Sequence, residues 1–290
     1  MISLSRQKYL PHILAKPDQN IINYNLILRM MFEKLLEITA QASSFVREKA
    51  LTPFTVEFKT GEMNLVTDAD KGSEKLIIDF IHKNFPGHGI LAEESGGEDQ
   101  NAEYLWVIDP LDGTTNFAHG LPLYAVSIGV MKNGETIMGA VADVSRGIIY
   151  SAEKGGGAYA NNKRITVSSR SRLEESLLVT GFPYDVREHA DPILNVLGGF
   201  LKTARGIRRL GSAALDFCFI AQGVFDGYWE MHLQSWDICA GQIIVEEAGG
   251  RVTDFAGNRL SIFSKEILCS NGLIHPLMHK IIAESLGRNS

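Results

Sequence analysis

Residues 106–122 read WVIDPLDGTTNFAHGLP. The run from Tyr104 to Ile108 is short and almost wholly apolar, which suits a buried strand. Two aspartates three residues apart, Asp109 and Asp112, close that run, and Gly113-Thr114-Thr115 follows at once. Carboxylates gathered at the end of a buried strand repel one another unless a cation neutralises them. Gly113 lets the backbone approach a ligand without a Cβ in the way. A chain that turns into a helix after it offers free N–H groups to a phosphate. Asp112 also suits an ordinary helix N-cap, so the stretch alone leaves two readings open.

Working outward, other acids sit at the ends of predicted elements. Glu93 and Glu94 follow the apolar GILA, Asp237 follows LQSW and opens an apolar helix, and Asp68 and Asp70 lie in NLVTDAD before a helix. Asp237 again suits an N-cap, as does Asp70. Three separate strand-to-turn junctions ending in acids nevertheless favour a site for a hard divalent cation, which takes oxygen ligands. Cys218, Cys239 and Cys269 are odd in number and far apart, so neither a thiolate zinc site nor a disulfide framework is expected. No GxxxxGK[ST] loop is present, and GGGAYAN leads into strand and turn instead of a helix, which argues against nucleotide-binding loops.

Periodicity predicts helices over Met31–Ala50, about Lys71–Asn84 with Asp70 as its cap, Pro192–Lys202, Ser212–Gln222, Asp237–Ala248 and His275–Leu286. Between them YAVSIGVM and TIMGAVADV flank Asn133-Gly134, a hairpin signal, and GIIYSAE continues a meander. VFDGYWEM and RVTDF read as further strands. The expectation is layered α/β with much antiparallel sheet, in two joined halves, residues 31–165 and 166–290. Residues 1–30 read as an N-terminal extension, loosely ordered or belonging to an upstream start codon. The 290 residues, 45% hydrophobic and 21% charged, are those of an ordinary globular chain. A net charge of −6 gives no global attraction for nucleic acid or anionic membrane. With no secretory or membrane-spanning run, the cytosol is the default compartment.

WVIDPLDGTTNF, with AEES before it and WDICAGQIIVEEAGG after it, resembles the inositol monophosphatase family of the lithium-sensitive, magnesium-dependent phosphatases. NLVTDAD and RRLGSAALD add to the match, which runs from about Phe32 to the C-terminus. The resemblance implies an α-β-α-β-α sandwich with mixed and antiparallel sheets, usually a homodimer. It implies two to three Mg²⁺ ions per site and inhibition by Li⁺. Glu93, Asp109 and the Leu111 carbonyl are then the ligands of one ion, and Asp109, Asp112 and Asp237 those of a second. A third, weaker ion again uses Glu93. Thr114 with Asp70 orients or deprotonates the attacking water, and the Gly113 and Thr114 amides hold the phosphate, with Asp112 and Asp237 beside it. Gly211, Ser212, Ala213 and Glu230 contact the hydroxyl-bearing part of the substrate, and Lys59 belongs to a mobile loop near the metals.

The implied activity is hydrolysis of inositol 1-phosphate and related polyol or sugar phosphates by a metal-activated water. DGTTNF departs from the DGTKEF of adenosine 3′,5′-bisphosphate phosphatases. Gln234 and Ser235 stand where animal inositol monophosphatases place His and Cys. Fructose-1,6-bisphosphatase and histidinol-phosphatase activities remain alternatives within the superfamily. A non-enzymatic role in a transcription complex is a third, resting only on the Arg205, Arg208, Arg209 cluster, which also suits a solvated loop or a dimer contact.

Overall fold

The computed structural model describes residues 19–58 and 65–288, with the backbone alone for residues 19–25. The predicted role of Lys59 lies outside the described residues. The chain starts with helix α1 (Gln19–Lys49), the short antiparallel pair β1 (Val56–Phe58) and β2 (Leu65–Thr67), and helix α2 (Asp68–Asn84). Strands β3 (Gly89–Ala92), β4 (Gly96–Glu98) and β5 (Tyr104–Asp112) lead to the single turn α3 (Thr114–Ala118). The meander follows: β6 (Ala125–Lys132), β7 (Glu135–Asp143), β8 (Ile148–Glu153), β9 (Gly157–Ala160) and β10 (Lys163–Ile165). The remainder is β11 (Leu177–Thr180), α4 (Ala190–Leu201), β12 (Gly206–Arg208), α5 (Ala213–Ala221), β13 (Gly227–Met231), α6 (Ser235–Glu247), β14 (Arg251–Thr253), β15 (Glu266–Ser270) and α7 (His275–Ser285).

Eight strands form one sheet in the order β10-β9-β8-β7-β6-β5-β3-β4, antiparallel except where β3 and β5 run parallel. Five form a second, mixed sheet in the order β12-β11-β13-β15-β14. Helices α1 and α2 cover the outer face of the large sheet, α5 and α6 fill the space between the sheets, and α4 and α7 cover the far face of the small sheet. These are the five layers, α-β-α-β-α, with mixed and antiparallel sheets, that the family resemblance implies. Asn133 and Gly134, both at positive φ, make the two-residue turn that joins β6 to β7.

Several boundaries move. Helix α1 starts twelve residues before Met31; its buried stripe of Met31, Leu35, Ile38, Ala42 and Val46 has helical spacing, whereas Leu26, Ile27 and Met30 are 53–56% exposed and carry no such stripe. Helix α2 starts at Asp68 and is capped by Thr67, not Asp70. Asp70 is the third helical residue and accepts from the Thr67 backbone N–H, the reciprocal half of a capping box. Asp237 holds the same position in α6, whose cap is Gln234. Both acids can therefore brace a helix start and still present a carboxylate.

Candidate active site

The site begins with an irregularity in β5. The strand does not stop at Asp109 but runs on to Asp112. Asp109 pairs with Ser127 and Asp112 with Ala125, so three steps on β5 oppose two on β6, a bulge of one residue. In a regular strand residues three apart face opposite ways. The bulge puts both aspartates on one face, the face of Leu105 and Val107 that meets α5 and α6, while Trp106, Ile108 and Leu111 pack toward α1 and α2. Ser73 of α2 donates its hydroxyl to the Pro110 carbonyl at 2.9 Å and pins the bulge from behind.

Asp112 accepts from the N-terminus of α5: the Ser212 hydroxyl and the Ala214 N–H reach its Oδ2, the latter at 2.8 Å, and the Ala213 N–H reaches Oδ1 at 3.3 Å. It caps a helix a hundred residues away and not the one it precedes, where Gly113 takes the cap position at φ +88° with no side-chain bond. The Ser212 hydroxyl, expected to face substrate, is spent on Asp112. Asp237 comes from the first turn of α6, and oxygens of Asp109, Asp112 and Asp237 lie within 4.8 Å of one another. Burial pushes the Asp112 carboxyl up to about 6, although the Ser212 bond opposes this. Asp109 and Asp237 rise well above the carboxylate range, through burial and then through their acidic neighbours. Among the described residues no Lys or Arg side chain forms an ion pair with any of the three. A largely buried, mutually repelling, all-oxygen set, with Asp237 half-buried, fits a hard divalent cation.

Glu93 and Leu111 line the same cavity. Glu74 of α2 accepts the backbone N–H groups of Glu94 and Ser95, both at 2.8 Å, and so fixes the turn that carries Glu93. The Thr114 hydroxyl lies 2.9 Å from Asp70 Oδ1 and 3.0 Å from the Leu111 carbonyl. Asp70 is fully buried behind it, its Oδ2 held by the Thr67 hydroxyl at 2.5 Å and the Thr67 N–H at 2.8 Å, and burial raises its pKa. A Cβ on Gly113 would sit 2.9 Å from the Leu123 carbonyl oxygen, so that close turn needs glycine twice over.

The cavity, about 920 Å³, holds Glu93, Asp109, Leu111, Asp112, Gly113, Thr114, Gly211, Ser212, Ala213, Glu230 and Asp237 on its wall; of the described site residues only Asp70 stands behind it. Glu230 accepts the Tyr228 hydroxyl at 2.5 Å, and burial pushes its pKa up to about 7. Gly181 makes room for it, since a Cβ there would fall 2.1 Å from Glu230 Oε2. The structure adds one residue the sequence did not single out and moves another. Asp216 lines the cavity with both carboxylate oxygens buried and without a hydrogen-bond partner. Arg209 leaves the supposed arginine cluster and joins the cavity wall, its guanidinium 5.7 Å from the Phe182 ring centre. Asp216 lies within the motif RRLGSAALD, one helical turn after Ser212, which was the signal available for it.

The inositol monophosphatase family model matches residues 28–289. The chain is 41% identical over 288 residues to the chloroplastic phosphatase IMPL1 of Arabidopsis thaliana, a match covering 97% of this chain and 76% of that protein. It is 40% identical over 235 residues to Nus factor SuhB of Escherichia coli strain K12, covering 80% of this chain and 87% of that one. Among solved structures, the inositol monophosphatase from Anabaena (Nostoc) sp. PCC 7120 aligns with a TM-score of 0.81 at 40% identity, over 89% of this chain and 96% of that chain.

Proposed function

The chain belongs to the inositol monophosphatase family, and on that premise we propose that it is a Mg²⁺-dependent phosphomonoesterase that cleaves inositol 1-phosphate and related polyol phosphates. The observation that carries this is the convergence of Asp109, Asp112 and Asp237 within 4.8 Å, beside Gly113 and Thr114 in one cavity. These three acids, with Glu93 and the Leu111 carbonyl, would hold two to three ions. When bound, Mg²⁺ supplies Lewis acidity to the phosphate and to an attacking water.

The protein's own groups do the rest. The Gly113 and Thr114 N–H groups hold phosphate oxygens. The Thr114 hydroxyl donates to Asp70 and keeps its lone pairs for a water, which it aims at phosphorus. Asp70, held by Thr67, takes up proton density as the water's O–H bond breaks and the new P–O bond forms. The ester P–O bond breaks on the opposite side, the leaving alkoxide takes a proton from a solvent water, and the alcohol departs toward Glu230, where a buried carboxylate accepts from a sugar hydroxyl. The test is phosphate release from myo-inositol 1-phosphate, fructose 1,6-bisphosphate, histidinol phosphate and adenosine 3′,5′-bisphosphate, with Mg²⁺, with chelator and with Li⁺. We expect inositol 1-phosphate to be preferred, with loss of turnover on chelation and inhibition by Li⁺. Preference for fructose 1,6-bisphosphate or histidinol phosphate overturns the substrate; turnover unaffected by chelation overturns the chemistry.

The same reading places the protein in the cytosol as a homodimer. Its three cysteines are free and buried, and no described helix is long and apolar enough to cross a membrane. A second reading, contact with transcription machinery, draws support from the similarity to Nus factor SuhB and from exposed Arg205 and Arg208. Pull-down of RNA polymerase factors by wild type and not by an Arg205→Glu, Arg208→Glu variant with intact turnover would support it.

A further inference from the structure

A second set of ligand-type side chains stands at the mouth of the same cleft. Asp185 and His232 line the cavity, and His189 caps the start of α4 beside them. Asp185 Oδ2 lies 3.3 Å from His232 Nδ1 and 3.4 Å from His189 Nε2, and all three ligand atoms fall within 4.8 Å of one another. These separations are long for hydrogen bonds. They match the edge, about 3.3–3.4 Å, of a tetrahedron whose metal–ligand bonds are about 2.0–2.1 Å, the zinc value. The side chains are 36–46% exposed, so an ion reaches them from solvent.

The two segments are held before any ion arrives. Successive turns bond Val186, Glu188 and His189 N–H groups to the carbonyls of Pro183, Asp185 and Val186 at 2.9–3.2 Å. His232 sits at φ +65°, in the left-handed region that few non-glycine residues occupy, and its N–H bonds the Lys265 carbonyl at 2.5 Å. That twist brings its ring to 4.6 Å from the ring of His189.

We propose that Asp185, His189 and His232 form a zinc site at the mouth of the cleft, separate from the all-oxygen centre of Asp109, Asp112 and Asp237. Two imidazoles and one carboxylate prefer Zn²⁺ or Co²⁺ over Mg²⁺. Three protein ligands leave a fourth position open toward the cavity, for water or for an oxygen of a bound anion. An ion there ties the 181–189 loop to the turn after β13, which leads into α6 and Asp237. Zinc thereby restrains the residues that admit substrate, and turnover slows without displacement of Mg²⁺.

The experiment is titration of the Mg²⁺-saturated protein with Zn²⁺ by calorimetry at about pH 7.5, and with Co²⁺ by visible absorption. Wild type is expected to bind one equivalent of Zn²⁺ and to give the intense bands of tetrahedral Co²⁺. His189→Ala and His232→Asn should each lose both signals, the second with asparagine because it tolerates positive φ. His189→Ala should keep Mg²⁺-supported turnover and lose its inhibition by zinc. Equal zinc binding in wild type and both variants, or zinc taken up only as Mg²⁺ is released, overturns the site. Neither readout depends on which phosphate ester is the substrate.

Discussion

The Thr114 hydroxyl stands 2.9 Å from Asp70 Oδ1, although forty-four residues separate the two in the chain. One comes from the turn after β5 and the other from the first turn of α2, whose cap, Thr67, holds the far oxygen of the same carboxylate. If this pair aims the water, Thr114→Ala should lower kcat about 10²–10⁴-fold, the usual worth of positioned proton transfer, with Mg²⁺ binding retained. Thr114→Ser should keep most activity. Calorimetric Mg²⁺ titration beside steady-state kinetics checks this, and an unchanged kcat in the alanine variant removes Thr114 from the reaction.

The acidic centre makes stability of the metal-free protein depend on pH in an unusual direction. Asp112 has a folded pKa of about 6 against 3.8 ordinarily, and Glu230 about 7 against 4.5. A carboxyl raised in the folded state keeps its proton longer there, so its contribution is present below the ordinary value and lost as pH rises through the folded one. For Asp112 the loss is roughly 3 kcal/mol between about pH 4 and 6. Unfolding in chelator should therefore show stability falling from about pH 4.5 to 7.5, and saturating Mg²⁺ should raise Tm more at the upper end. A Mg²⁺ effect independent of pH contradicts this account.

Glu230 is the side chain best placed to read the alcohol. Glu230→Gln keeps the volume and removes the charge, and should raise KM for inositol 1-phosphate about 10-fold, the worth of one charge-assisted hydrogen bond. Hydrolysis of p-nitrophenyl phosphate, which has no hydroxyls to offer, should change less than about twofold. Equal loss on both substrates would assign Glu230 to the fold and not to recognition.

Gly113→Ala should be costly for two reasons, a φ of +88° and a Leu123 carbonyl 2.9 Å from the new Cβ. We expect a loss of roughly 1–3 kcal/mol in denaturant unfolding together with loss of phosphate release. Gly87→Ala, also at positive φ but with open space around it, is the control; it should lose less stability and keep activity.

The layers were legible because α1, β6, β7 and α6 each carry a period or turn signal that local chemistry dictates. The acids were legible as a set, through their motif and their place at element ends. Their partners were less so. That Asp112 caps α5, and that Glu74 fixes the turn carrying Glu93, are contacts between segments 100 and 20 residues apart, which no local pattern encodes. Helix α1 before Met31 escaped because, among the described side chains there, Leu26, Ile27 and Met30 are exposed and continue no buried stripe. Asp216 escaped because a lone acid on an apolar helix looks the same whether or not it faces a cavity.

The bulge in β5 has a bearing on how the chain folds. From Leu105 to Ile108 the strand is apolar on both faces, so hydrophobicity gives little reason to prefer one pairing with β6 over a pairing slipped by one residue. The slipped pairing would turn Asp109 toward Ile77 and Ile81 of α2, where an unpaired charge is prohibitively desolvated. The same carboxylates that suit a cation thus act earlier as a register lock: they make the wrong alignment of the central strand pair the expensive one before any ion is bound.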